Sequence, residues 1–335
     1  MKAAIVGIAG AELAAEEARL FAAHPPAGVI LFRRNIETPG QLAGLVAALR
    51  RVLRPGAVLM LDQEGGRVAR LRPPHWRAHP PMAAIGALHA ADPAGGPRAA
   101  FLTGALIGAD LAAAGFDVDC APVLDVRDPE GHDVVGDRAF ADDPRAVARL
   151  GRAFAAGLLA AGIQPVMKHA PGHGRARADS HRELPRVAAN DLGRDMLPFA
   201  ANMDMPWAMT AHILYTGLDP DRPASLSARV IRGILRGQMG FSGVLVSDDL
   251  DMGALSGPPE GRARAALEAG SDIALFCPGR LAETRAVLAA CPELTAPARR
   301  RLAAARALAA ARRVALDPAR LAGERARLLA RADGG

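Results

Sequence analysis

The stretch Gly243-Val244-Leu245-Val246-Ser247-Asp248-Asp249 is apolar until its last three residues. A short continuous apolar run is what a strand buried on both faces looks like. Seven more runs of the same kind recur along the chain: AAIVG (3–7), GVILF (28–32), AVLMLD (57–62), FDVDCAPV (116–123), PVMKHA (165–170), AMTAHI (208–213) and DIALF (272–276). The segments between them are rich in Ala, Leu and Arg at helical period, which implies parallel crossovers. Eight such units predict an α/β chain folded as a single (β/α)8 barrel of the TIM type, some of its strands irregular, with its active site at the C-terminal rim. The alternative is a doubly wound open sheet. A single domain over 1–335 is expected, with helices from about 295 packed on the barrel and Pro318 as a break.

The ends of these runs are polar. The third ends in Asp62, the fourth leads into Asp125 and later Arg138, and the fifth ends in Lys168-His169. The sixth ends in His212 and the seventh in Asp248-Asp249. In a barrel all of these meet on one rim, where side chains distant in sequence converge. Two acids closing an apolar strand are costly unless solvated, paired or used. One of them caps the next helix or projects into the pocket as a nucleophile. Strand alternation lets only one of the two point inward.

The loop after the fifth run reads Lys168-His169-Ala170-Pro171-Gly172-His173-Gly174, then Asp179-Ser180-His181. It holds three of the nine histidines and one of two lysines, the other being Lys2. A lysine kept in so arginine-rich a chain points to a need for a compact ammonium. Asp179 is placed to orient His181 for acid/base work near neutral pH; read alone, the same triplet also suits an ordinary polar surface loop. Gly172 and Gly174 are expected to hinge the loop. His169 and His173 have the spacing of two zinc ligands on a helix, but Pro171-Gly172 between them opposes a helix, and there is neither an H-E-x-x-H nor a cysteine partner. Neither metal nor cofactor is expected.

Bulk composition narrows the function classes. The net charge is +6, but the arginines are interleaved with acids and aromatics are only 4%, so nucleic acid is not an expected partner. Three cysteines without a close pair suit a reducing cytosol. No apolar stretch is long enough for a membrane span, and the N-terminus, with Glu12, Glu16 and Glu17, is a poor signal peptide.

Taken together, Lys168-His-x-Pro-Gly-His-Gly, Asp179-Ser-His181, Gly-Asp-Arg138-Ala-Phe, Asp62-x-Glu-Gly-Gly-Arg-Val and Ser-Asp248-Asp-Leu-x-Met resemble the motifs of family 3 glycoside hydrolases, in the family's order and over almost the whole chain. The Asp-Ser-His loop resembles the branch of bacterial β-N-acetylglucosaminidases that act in peptidoglycan recycling. The resemblance implies a retaining exo-hydrolase with Asp248 as nucleophile, His181 as acid/base and Asp179 as its partner. It implies that Asp62, Arg70, Arg138, Lys168 and His169 hold the sugar; His212, at the end of the sixth run, is counted with them. It implies muropeptide substrates carrying a 1,6-anhydro-N-acetylmuramic acid end, and a cytoplasmic monomer. Larger members draw the acid from an additional domain; here the loop after the fifth run is expected to supply it. A broader β-glucosidase-like specificity is the alternative. Gln63, where His is expected in many relatives, and Asp251 depart from the pattern.

Overall fold

The computed structural model describes residues 1–188 and 192–330. All eight apolar runs form strands of one closed, all-parallel barrel, which replaces the open-sheet alternative. The barrel strands are β1 (Lys2–Gly7), β2 (Pro26–Leu31), β3 (Val58–Leu61), β4 (Val118–Asp119), β5 (Gln164–Ala170), β7 (Trp207–Thr210), β9 (Val244–Asp249) and β10 (Ile273–Phe276), neighbours in chain order. Two short strands, β6 (Arg186–Val187) and β8 (Leu214–Tyr215), pair with each other outside the barrel.

β4 is shorter than its apolar run. Pro122 has no N–H to give a ladder, so beyond Asp119 the continuous ladder gives way to scattered hydrogen bonds and a parallel bridge between Val123 and Lys168. The Cys120 N–H donates to Leu61 (2.8 Å), and the Ala121 carbonyl accepts from Val166 N (2.9 Å).

Alternation divides each strand between two cores. Ile5, Ile30, Met60, Val166, Trp207 and Val246 fill the barrel interior. Val6, Val29, Leu31, Leu59 and Leu245 face the surrounding helices. The interior core continues into Leu294, Ala298, Leu302 and Ala305, so helix Ala296–Arg312 plugs the N-terminal mouth. Pro318 does not break a helix but opens the next, Pro318–Leu329; its missing N–H costs nothing in the first turn, and Asp317 caps that helix by accepting from Arg320 N (3.1 Å). The tail beyond 330 lies outside the described residues. No described helix is long and apolar enough to cross a membrane.

Candidate active site

The C-terminal strand ends open on a cavity of about 330 Å³. Its wall includes Asp62, Glu64, Arg70, Arg138, Lys168, His169, His173, Ser180, His181, Asp248 and Asp249. Of the nine residues expected to catalyse or to hold the sugar, all but Asp179 and His212 reach it. Asp179 lines an adjoining open cleft of about 370 Å³, which His181 and Arg138 share.

The floor is a buried charge network. The Lys168 ammonium lies 2.9 Å from Asp62 and 2.6 Å from Glu64. Asp62 also pairs with Arg70 (3.2 Å), and Glu64 accepts twice from Arg138 (2.7 and 2.8 Å). Burial works against every charge here, yet each group has opposite charges close by. Lys168 and Arg70 outweigh burial and hold Asp62 far below the usual carboxylate range. Arg138 and Lys168 do the same for Glu64, to about 2. Lys168 is held well above the usual lysine range against its own burial, by Asp62 and Glu64. The compact ammonium expected from the sequence sits between two carboxylates. Glu64 was missed as a site residue. Its signal was present in Glu64-Gly65-Gly66, an acid beside a strand end, but its partners come from other strands.

Asp248 and Asp249 both line the cavity, contrary to simple alternation. The register explains it. Ile273 pairs with Val246 while Leu275 pairs with Asp249, so β9 carries one extra residue there. Such a bulge re-aims a side chain, and bulges are common beside active sites. The Asp249 N–H donates to Asp248 Oδ1 (2.8 Å). Burial raises the Asp248 pKa, but His169 and His212 nearby and this hydrogen bond bring it below the ordinary value. Asp249 goes the other way. Burial pushes it up to about 6, although its Oδ1 accepts from Asp251 N (3.1 Å) and Cys277 N (3.0 Å).

His212 does not reach the cavity. It is fully buried, with Nδ1 2.6 Å from Ser225 Oγ and Nε2 2.9 Å from the Asp249 carbonyl. Both nitrogens are engaged, so it supports the strand end that carries Asp248 and has no atom left for a ligand.

Asp125 organises the start of the loop after β5. Its Oδ1 accepts from the N–H of His169 (3.1 Å) and His173 (2.7 Å), and its Oδ2 lies 2.7 Å from His169 Nδ1. That leaves His169 Nε2 for the cavity. At the loop tip, Asp179 Oδ1 accepts from His181 N (2.9 Å) and lies 2.8 Å from His181 Nδ1. The His181 side chain keeps 62% of its surface exposed. The His181 carbonyl accepts from Gly253 N (3.1 Å). Gly172 and Gly174 are positions of close packing. The Gly172 carbonyl accepts from Tyr215 Oη, and a Cβ on Gly174 would sit 1.7 Å from the Val126 carbonyl oxygen. These glycines permit close approach. Among the described residues, no group of three or more His, Cys, Asp or Glu could hold a metal ion.

A closed parallel barrel whose rim gathers an ionised carboxylate and a His–Asp pair around a cavity this size has the parts of a glycosidase. Residues 2–315 match the glycosyl hydrolase family 3 N-terminal domain, and the chain belongs to that family of glycoside hydrolases. It is 42% identical over 280 residues to a β-hexosaminidase of Alkalilimnicola ehrlichii, covering 82% of this chain and 80% of the relative. It is 40% identical to a β-hexosaminidase of Xanthomonas campestris, over 82% and 83% of the two chains. The fold superposes on NagZ from Neisseria gonorrhoeae, solved in complex with N-trifluoroacetyl-D-glucosamine, with a TM-score of 0.78 at 32% identity, covering 92% of this chain and 98% of that one.

Proposed function

We propose that the chain is a retaining exo-β-N-acetylglucosaminidase that removes terminal β-linked N-acetylglucosamine from muropeptides with a 1,6-anhydro-N-acetylmuramic acid end, acting as a monomer in the cytoplasm. The observation that carries the chemistry is that Asp248 and His181 open on one cavity, with Asp248 held ionised. The similarity to β-hexosaminidases and to NagZ supports the choice of sugar.

The Asp249 N–H occupies Asp248 Oδ1 and leaves Oδ2 to attack the anomeric carbon. The bond to the leaving oxygen breaks as His181 protonates that oxygen, giving a covalent glycosyl-enzyme. His181, now neutral, takes a proton from the incoming water, which attacks the same carbon and frees Asp248. Most retaining enzymes use a second carboxylate for this task. An imidazole also suits it, because free imidazole titrates near ~6.5 and serves as acid and base at neutral pH. Asp179 accepts from His181 Nδ1 and directs Nε2 to the reaction.

Lys168, Arg70, Arg138, Asp62 and His169 hold the sugar hydroxyls and acetamide. The first four are already paired with one another or with Glu64, so they present fixed dipoles instead of mobile charges. The adjoining cleft beside His181 receives the aglycone. The test is release of chromophore from an aryl β-N-acetylglucosaminide and from the matching glucoside, with the product anomer followed by NMR. Turnover of the first alone, with retention, is expected. Inversion, or preference for the glucoside, refutes the reading.

A further inference from the structure

His169 and His173, spaced like metal ligands in the sequence, have separate tasks in the structure. The proposed reaction uses His169 at the cavity and assigns nothing to His173. Yet His173 is 3% exposed and its backbone N–H is tied to Asp125 Oδ1 (2.7 Å). Its Nε2 lies 3.0 Å from Ser180 Oγ. Ser180 is the residue between Asp179 and His181, is itself 2% exposed, and its carbonyl accepts from Ala254 N (3.2 Å).

The chemistry of that contact can be worked out. Burial, then the neighbouring His169, push the His173 imidazole down to about 4, so the ring is neutral near pH 7. A neutral ring carries one proton. Its Nδ1 is buried without a partner. A proton placed there would be a buried donor with no acceptor, which is costly. On Nε2 the same proton is donated to Ser180 Oγ. The Ser180 hydroxyl proton is then free to turn toward the cavity that Ser180 lines.

We propose that His173 is a positioning residue for the acid/base: by donating to Ser180, it ties the Asp179-Ser180-His181 tip to the start of the loop, which Asp125 anchors, and holds His181 at the leaving oxygen. The inference rests on His181 being the acid. It explains why a second buried histidine sits beside His169. Small displacements of a positioned group are expensive in rate, about a hundredfold for 1 Å.

The test exploits leaving groups. A 2,4-dinitrophenyl β-N-acetylglucosaminide departs without protonation, whereas the phenyl glycoside needs the acid. His173→Phe and Ser180→Ala are expected to lower kcat/KM on the phenyl substrate about 10- to 100-fold. On the dinitrophenyl substrate the loss stays within about threefold, because the acid that is misplaced is not needed there. His173→Gln, whose amide N–H can stand where Nε2–H stood, recovers most of the loss. Equal losses on both substrates, or no loss on either, overturn the inference. If His173→Phe does not fold, Ser180→Ala carries the test by itself. His181→Ala separates the two ideas. Leaving-group dependence in His181→Ala but not in the His173 and Ser180 variants overturns this inference alone. Its absence in His181→Ala overturns the acid assignment and this inference with it.

Discussion

Asp248 and Asp249 share a peptide bond and a cavity wall, yet their surroundings drive them in opposite directions. Two histidines and a backbone N–H keep Asp248 charged, while burial pushes Asp249 up to about 6. Asp249 therefore costs stability above pH 6. Its folded pKa lies above the unfolded ~3.9, so the cost is full above 6 and absent below the unfolded value. Asp249→Asn keeps an oxygen for Cys277 N and Asp251 N and loses the charge. It is expected to be more stable than wild type by about 2 kcal/mol at pH 7, the gain fading to zero below pH 4, as urea unfolding would show. An unchanged or lower stability at pH 7 would contradict this reading. At this scale a single motif was enough to mark a candidate position, as for Lys168 or the Asp179-Ser180-His181 loop. It was silent on Glu64, whose meaning depends on Arg138 and Lys168, 74 and 104 residues away in the chain.

Elements decide which of these side chains meet. The β9 bulge brings two adjacent acids to one cavity, and no periodicity in Ser247-Asp248-Asp249 signals it, since the extra residue exists only in the pairing with β10. The reverse error is His212, which stands at a strand end but turns into the protein, toward Ser225 and the Asp249 carbonyl. The loop after β5 stood out in the sequence, but the close approach at its glycines did not. A methyl at Gly174 would collide with the Val126 carbonyl. Gly174→Ala is thus expected to cost about 1–3 kcal/mol and to lower kcat/KM by shifting the loop that carries His181. Thermal unfolding and kinetics of that variant check both. A freely hinging glycine would accept the alanine with neither effect.

The barrel was the most legible feature, because eight doubly buried strands leave eight apolar runs whatever their exact ends. The tail was less so: its helices were visible, but that Leu302 and Ala305 complete the barrel interior follows only from the closed fold. Leu302→Asp places a charge in that plug and is expected to cost about 3 kcal/mol or more. The plug lies at the mouth opposite the site, so kcat/KM of the folded fraction should hold; a large fall in it would show coupling through the barrel. Acid acts on the whole molecule in two stages. His173 is neutral in the fold down to about 4, so its contribution declines as pH falls from the unfolded ~6.5 toward 4, a loss opposed over the same range by relief of the Asp249 cost. Glu64 and Asp125, both held at about 2, then lose their pairing as pH falls from about 4 to 2, Glu64 contributing roughly 3 kcal/mol. Urea midpoints from pH 8 to 2 measure this; no fall in stability between pH 4 and 2 would contradict the buried network. The central claim is that Asp248 is the nucleophile, and trapping the intermediate tests it most directly. After incubation with a fluorinated glycosyl donor, peptide mass spectrometry should find the sugar on Asp248. A sugar on Asp249, or turnover with no adduct and an inverted product, would contradict it.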